Sequence, residues 1–154
     1  MAKKCKIGDV IEVPTSKGLA YAQFYHLNPQ YGALLRVLPG LFNQRPADLA
    51  GLVECAEVLV AFFPLQAALN QGIFEFVVNV PVPASASAFP LFRTGLPDPQ
   101  TGKVENWWLW DGQKAWRVGA ITDEQRNLPL RGIWNDTLLI ERIESGWTPA
   151  SDPM

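Results

Sequence analysis

One histidine, His26, and two cysteines, Cys5 and Cys55, are the only soft nucleophiles or metal ligands in 154 residues. A Cys55/His26 dyad would need a nucleophile, a base and an orienting third group brought together. No local signature for that arrangement surrounds either residue. His26 lies between Tyr25 and Leu27 on an expected strand, where a structural or surface role is the ordinary one. Cys5, His26 and Cys55 lack zinc-ligand spacing, and Cys5 sits in a basic start. Glu54 and Glu57 are three apart and would share one face of a helix. Such a pair can hold a metal or do acid–base work, but a solvated helix face is the common outcome. Gly8, Gly18 and Gly32 are isolated, so no phosphate-cradling loop is present. These residues imply no catalytic group, no cofactor and no metal.

The tryptophans carry a stronger signal. Four of the six fall in Asn106–Val118. Asp111-Gly112 separates two aromatic, β-favouring runs, which is a hairpin signal. A two-residue turn there sets Trp110 opposite Gln113, Leu109 opposite Lys114 and Trp107 opposite Trp116. Trp107, Leu109 and Trp116 then share one face, and Trp108, Trp110, Ala115 and Arg117 the other. Both faces carry bulky rings. One can enter a core; the other must be covered or left exposed. Trp, Tyr and Arg are enriched where binding energy concentrates. Trp108, Trp110 and Arg117 are therefore the candidate partner-binding residues. Core packing is the competing reading for most of these rings. A sugar- or nucleotide-stacking module is an alternative, and it requires two rings exposed side by side.

The whole-chain properties bound the class. The length fits a single domain, 1–154, with an ordered core over about 6–147. A composition 48% hydrophobic and 18% charged is that of a folded globular chain. The net charge is −2, with no Lys/Arg stripe beyond Lys3, Lys4 and Lys6. Nucleic-acid binding is dominated by clustered positive charge, so no nucleic-acid partner is expected. The basic start is followed by a charged strand and not by an apolar run, unlike a secretion signal. The longest apolar stretch, 58–69, is too short to span a bilayer and contains Pro64. Cytoplasmic location, free thiols and no membrane association are the expectations. Nothing in the sequence sets the oligomeric state.

The elements that must position these residues are mostly strands. Asp9–Val13, Leu19–Leu27 and Tyr31–Leu38 read as a three-stranded antiparallel meander. The turn 14–18 and the breaker Asn28-Pro29-Gln30 separate them. Arg45–Ala50 reads as a helical turn with Pro46 first. Val58–Phe63 reads as a buried strand, Leu65–Asn70 as a short helix and Ile73–Val82 as another strand. Pro81, Pro83 and Pro90 punctuate a surface connection, with a linker between two domains as the alternative. A short strand at 90–93, the hairpin, a helical turn at 123–126 and a last strand over Thr137–Glu144 complete the chain. Gly146 onward reads as a tail that Trp147 can dock. The fold class is mainly β, bordering on α+β. The expected form is an antiparallel, strongly bent sheet or partly open barrel with one or two short helices.

Three stretches in order carry a family resemblance. They are Lys6-Ile7-Gly8-Asp9-Val10-Ile11-Glu12-Val13-Pro14 followed by Gly18-Leu19-Ala20-Tyr21-Ala22-Gln23; Pro90-Leu91-Phe92-Arg93; and Trp107-Trp108-Leu109-Trp110-Asp111-Gly112. Together they resemble the immunity protein 26 family of bacterial polymorphic toxin systems, from about Lys6 to about Glu144. The resemblance implies a non-enzymatic cytoplasmic immunity protein that binds and neutralises a cognate toxin protein. It implies no catalytic residues and does not identify the toxin. Two rival readings stand beside it: the tryptophan-based carbohydrate or nucleotide module, and a small enzyme built around Cys55, His26 or the carboxylates.

Overall fold

A computed structural model describes residues 3–154. The chain is mainly β, with eight strands in two antiparallel sheets and three short α-helices among the described residues. It divides into two compact units, Met1–Ala88 with Gly132–Gly146, and Phe89–Arg131 with Trp147–Met154. The first boundary falls inside the proline-punctuated connection read from the sequence.

In the first unit, β1 (Asp9–Thr15), β2 (Gly18–Asn28) and β3 (Gly32–Val37) form the meander. β4 (Leu59–Phe62) and β5 (Glu75–Asn79) flank it, giving the order β4-β3-β2-β1-β5. The order leaves β4 and β5 as edges, so this sheet is not closed into a barrel. Asp9–Val13 is buried throughout, and β1 is an inner strand, paired with β2 on one side and β5 on the other. Val10 and Tyr21 cluster with Leu38 and with Leu49 and Val53 of α1 (Leu49–Val53).

That helix begins three residues later than Pro46 suggests. Asp48 caps it, its side chain accepting from Gly51 N at 2.9 Å. A buried cation holds its other end. Arg36 donates to Val53 O (3.1 Å), Cys55 O (2.7 Å) and Gln23 Oε1 (2.8 Å) and pairs with Glu57 at 3.3 Å. The last carbonyls of a helix have no partner within it. Arg36 supplies one, and its positive charge also suits a helix C-terminus. Glu57 is therefore an ion-pair partner, and Glu54 lies at the C-cap of α1. α2 (Leu65–Asn70) has the bounds read from the sequence.

The expected last strand is a helix, α3 (Asp136–Ser145). Leu138/Ile140 against Leu139/Glu141 mimics strand alternation, but the ends decide. Asn135 accepts from Leu138 N at 2.8 Å as N-cap, and Gly146 closes the helix in the left-handed conformation at φ 69°. Both are helix-boundary signals that alternation alone overlooks. Leu139 is fully buried. Just before α3, Trp134 N donates to Phe62 O at 2.9 Å, so this segment covers the β4 edge.

The second unit is built on β6 (Phe92–Thr94), β7 (Trp107–Trp110) and β8 (Ala115–Gly119), in that order. Residues 129–131 cover the outer edge of β6. Arg93 N donates to Pro129 O (2.9 Å) and Arg131 N to Arg93 O (3.0 Å). The tail after Gly146 is part of this unit. Trp147 and Met154 pack with Val104, Trp107 and Leu130, and Trp147 Nε1 donates to Asp152 Oδ2 at 3.3 Å.

Candidate functional site

The hairpin turns where the sequence places it, but over four residues, Asp111–Lys114. Trp110 faces Ala115, Leu109 faces Trp116 and Trp108 faces Arg117. The expected pairing of Trp107 with Trp116 is thus corrected; Trp107 faces Gly119 past a register shift. The cause is the conformation of Asp111. A tight two-residue turn of the common kind needs positive φ at both central residues. Gly112 has φ 100°, but no non-glycine residue is at positive φ. Asp111 instead bridges the loop: its carboxylate accepts from Gln113 N and Lys114 N, both at 2.9 Å. Those two bonds hold its pKa below the usual carboxylate value. Lys114 O accepts from Asp111 N at 3.2 Å.

The register moved by two residues, so the faces survived. Strand side chains alternate with period two. Leu109 and Trp116 share one face, and Trp108, Trp110, Ala115 and Arg117 the other. What differs from ring to ring is cover. Trp107 and Trp110 are buried, the latter only 5% exposed, while Trp108 and Trp116 are 42% and 41% exposed.

Trp110 belongs to the core and not to the surface platform. Phe89 and Phe92 lie 5.8 and 5.4 Å from it between ring centroids, and the Arg131 guanidinium lies 5.4 Å from its ring. Trp107 is held from the other face by Arg93, whose guanidinium is 4.6 Å from the ring. Arg93 is fully buried and donates to Leu128 O (3.2 Å) and Pro149 O. Burial, then the nearby Arg126, pull its pKa down, with Asp152 opposing.

Trp108 and Arg117 are the two site residues that the structure brings together at the surface. Trp108 lines a cleft of about 580 Å³ with Leu96, Asp98, Glu105, Asn106 and Arg131. Arg117 stands at its rim, donating to Asn106 Oδ1 at 2.6 Å. Leu96 is 90% exposed. The ring, the leucine, the arginines and the carboxylates offer apolar contact and hydrogen bonding of both polarities. Sequence reasoning missed Leu96, Asp98, Glu105 and Arg131. Leu96, Asp98 and Glu105 lie in the loop that joins the paired strands β6 and β7, and Arg131 arrives on the segment along the outer edge of β6. The exposed pair Trp108 and Trp116 sits on opposite faces of the hairpin, so these two rings do not form the side-by-side platform that sugar or base stacking requires.

The other candidate groups lie apart in the first unit, each with its own partners. His26 Nε2 is 2.8 Å from Ser87 O, and its ring packs edge-on against Tyr25. Cys55 follows α1, its thiol directed at Gly51 O at 3.7 Å. Both cysteines are free thiols. Burial raises the Cys5 pKa. A polar cluster of a different kind joins Glu12, Tyr21 and Arg45. Glu12 Oε1 accepts from Tyr21 Oη (2.7 Å) and pairs with Arg45 Nε (2.9 Å). The bond from Arg45 lowers the Glu12 pKa, and burial with the Glu12 bond pushes Tyr21 up to about 12. A second cleft in this unit, about 780 Å³, is largely apolar, with Leu27, Tyr31, Phe63, Leu65 and Ile133 in its walls. Its Gln66 side chain is engaged by Cys5 N, Lys3 O and Asn70.

Among the described residues, no group of three or more His, Cys, Asp or Glu converges to hold a metal ion. No helix among them is long and apolar enough to cross a membrane. No family model, curated protein or solved structure matches the chain.

Proposed function

We propose that this chain is a non-enzymatic, cytoplasmic immunity protein that binds a cognate bacterial toxin and neutralises it by occlusion. The three ordered motifs that resemble the immunity protein 26 family motivate the reading. The observation that carries it is the surface formed by Trp108 and Arg117 across one strand pair, beside the exposed Leu96. A half-exposed tryptophan next to an arginine, on a paired strand and not on a loop, has the composition and rigidity of a binding hot spot.

The partner is a protein, and the contact is centred on Trp108 with Arg117 at its edge. Trp110, beside it on the same face, is packed against Phe89 and Phe92 and anchors the strand. Co-expression with the toxin encoded beside this gene tests the reading. The intact protein should protect the cell and co-purify with the toxin. Trp108→Ala should weaken binding by at least about 2 kcal/mol, roughly 30-fold, with the fold intact. If the intact protein neither binds nor protects, the inhibitor reading fails. If it protects and Trp108→Ala binds equally well, only this surface is wrong.

A further inference from the structure

β8 is an edge strand, and its outer side has no backbone partner among the described residues. Two other sheet edges are covered: β4 by the segment at Trp134, and β6 by residues 129–131. Ala115, Trp116 and Arg117 are all exposed. An exposed strand edge is a template for another strand.

The hydrogen-bond phase of this edge follows from the loop. Asp111 N donates to Lys114 O, immediately beside the Trp110–Ala115 pair. In an antiparallel ladder, bonded and non-bonded pairs alternate. Trp110–Ala115 and Trp108–Arg117 are therefore non-bonded pairs, and Leu109–Trp116 is a bonded one. The N–H and C=O of Ala115 and Arg117 consequently point away from β7, toward the open side.

We infer that this edge pairs antiparallel with the same edge of a second copy, centred on Trp116. The sequence of β8 fits its own image in that register. Ala115 of each copy meets Arg117 of the other, and all four outward N–H groups find carbonyls. Trp116 meets Trp116 at a non-bonded position, where side chains approach most closely and aromatic pairs are favourable. Lys114 falls opposite Val118, so no like charges oppose each other. Centring on Arg117 would instead set two arginines directly opposite, which is unfavourable. The small Ala115 side chain leaves room for Arg117 of the other copy. The result is a two-fold, self-complementary contact that joins two three-stranded sheets into one of six. Its small area places it among concentration-dependent, transient associations. Trp116 lies on the opposite face from Trp108, but Ala115 lines the Trp108 cleft, so Arg117 of the other copy comes to the border of the proposed partner-binding cleft.

Sedimentation velocity across protein concentration, with charge exchange at the central residue, tests this. The wild-type protein should shift from monomer to dimer as concentration rises. Trp116→Lys and Trp116→Glu should each stay monomeric where the wild type is dimeric, since like charges then meet. An equimolar mixture of the two should recover the dimer, read as co-elution of the untagged variant with a tagged one. Arg117→Pro should also stay monomeric. It removes an outward N–H, and proline is tolerated on an edge strand. Circular dichroism of each variant checks the fold. A wild type that is monomeric up to about 1 mM, where association is negligibly weak, overturns the inference and leaves the edge to a strand of another protein. A dimer that persists in both Trp116→Lys and Arg117→Pro, or charge variants that fail to pair with each other, overturns it equally.

Discussion

Trp108 and Trp110 are two residues apart on one strand and one face, yet replacing each by alanine should cost the fold unequally. Trp110 is 5% exposed, with Phe89, Phe92 and Arg131 against its ring. A buried tryptophan removes roughly 200 Å² from water. At about 25 cal/mol per Å², that is on the order of 5 kcal/mol, an upper figure because the unfolded chain already buries part of the ring. Tryptophan-to-alanine changes in cores cost about 3–5 kcal/mol, which agrees. Trp108 is 42% exposed, so by the same measure its buried part contributes roughly 3 kcal/mol at most, clearly less than Trp110. The assay is urea unfolding followed by near-ultraviolet circular dichroism, with Trp108→Ala and Trp110→Ala compared with wild type. Two compact units can unfold separately, so the transition that carries the hairpin must be identified, for example by hydrogen exchange at Leu109. Trp110→Ala should move that transition strongly or abolish it; Trp108→Ala should move it by roughly three-fifths as much or less. Equal shifts for the two variants would refute the assignment of one ring to the core and the other to the surface.

Arg36→Leu should destabilise the first unit by about 3–5 kcal/mol, since it strands Val53 O, Cys55 O, Gln23 and Glu57; a change below about 1 kcal/mol in chemical denaturation would show that these groups are satisfied otherwise. Gly112→Ala should cost about 1–3 kcal/mol, because φ is 100° and a Cβ would stand 2.8 Å from Phe89 Cε1; an unchanged melting curve would count against that loop geometry. The Glu12 pKa lies below its unfolded value of 4.5, through Arg45 and then Tyr21. Its contribution to stability is complete above that value and is lost as pH falls through the lower folded pKa. Glu12→Gln should therefore flatten the acid limb of the stability–pH curve below about pH 4.5; an acid limb identical to that of wild type would remove Glu12 from the account.

Local patterns carried the sequence reading a long way. The meander, β4 and the hairpin were legible because each has apolar β-branched or aromatic runs bounded by Pro, Gly or Asn, and α2 because Pro64 opens and Gly72 stops a Leu/Ala segment. α3 was not, because Leu138, Leu139 and Ile140 satisfy a strand template as readily as a helix; Asn135 and Gly146 are the residues that decide between them. The start of α1 was set by Asp48 and not by Pro46. Docking of the tail by Trp147 was legible, but its partners Val104, Trp107 and Leu130, like the division into two units, depend on contacts between distant residues that no local window contains.

The hairpin separates what a pattern can fix from what it cannot. The side chain of Asp111 lengthened the turn and shifted the register by two residues, but an even shift leaves every residue on its own face. The two-faced distribution of tryptophan was therefore robust to an error in the pairing. Which ring on each face is covered follows from other parts of the chain. Phe89, Phe92 and Arg131 cover Trp110, while Arg93, Val104 and Leu130 cover Trp107. The rings left over, Trp108 and Trp116, point from opposite faces of one hairpin. A single strand pair thus offers two surfaces that meet at Ala115 and Arg117, one at the Trp108 cleft and one at the free edge of β8. Because the two rings themselves lie on opposite faces, substitutions at Trp108 should act first on binding a foreign protein and those at Trp116 on self-association, whereas Arg117 should affect both.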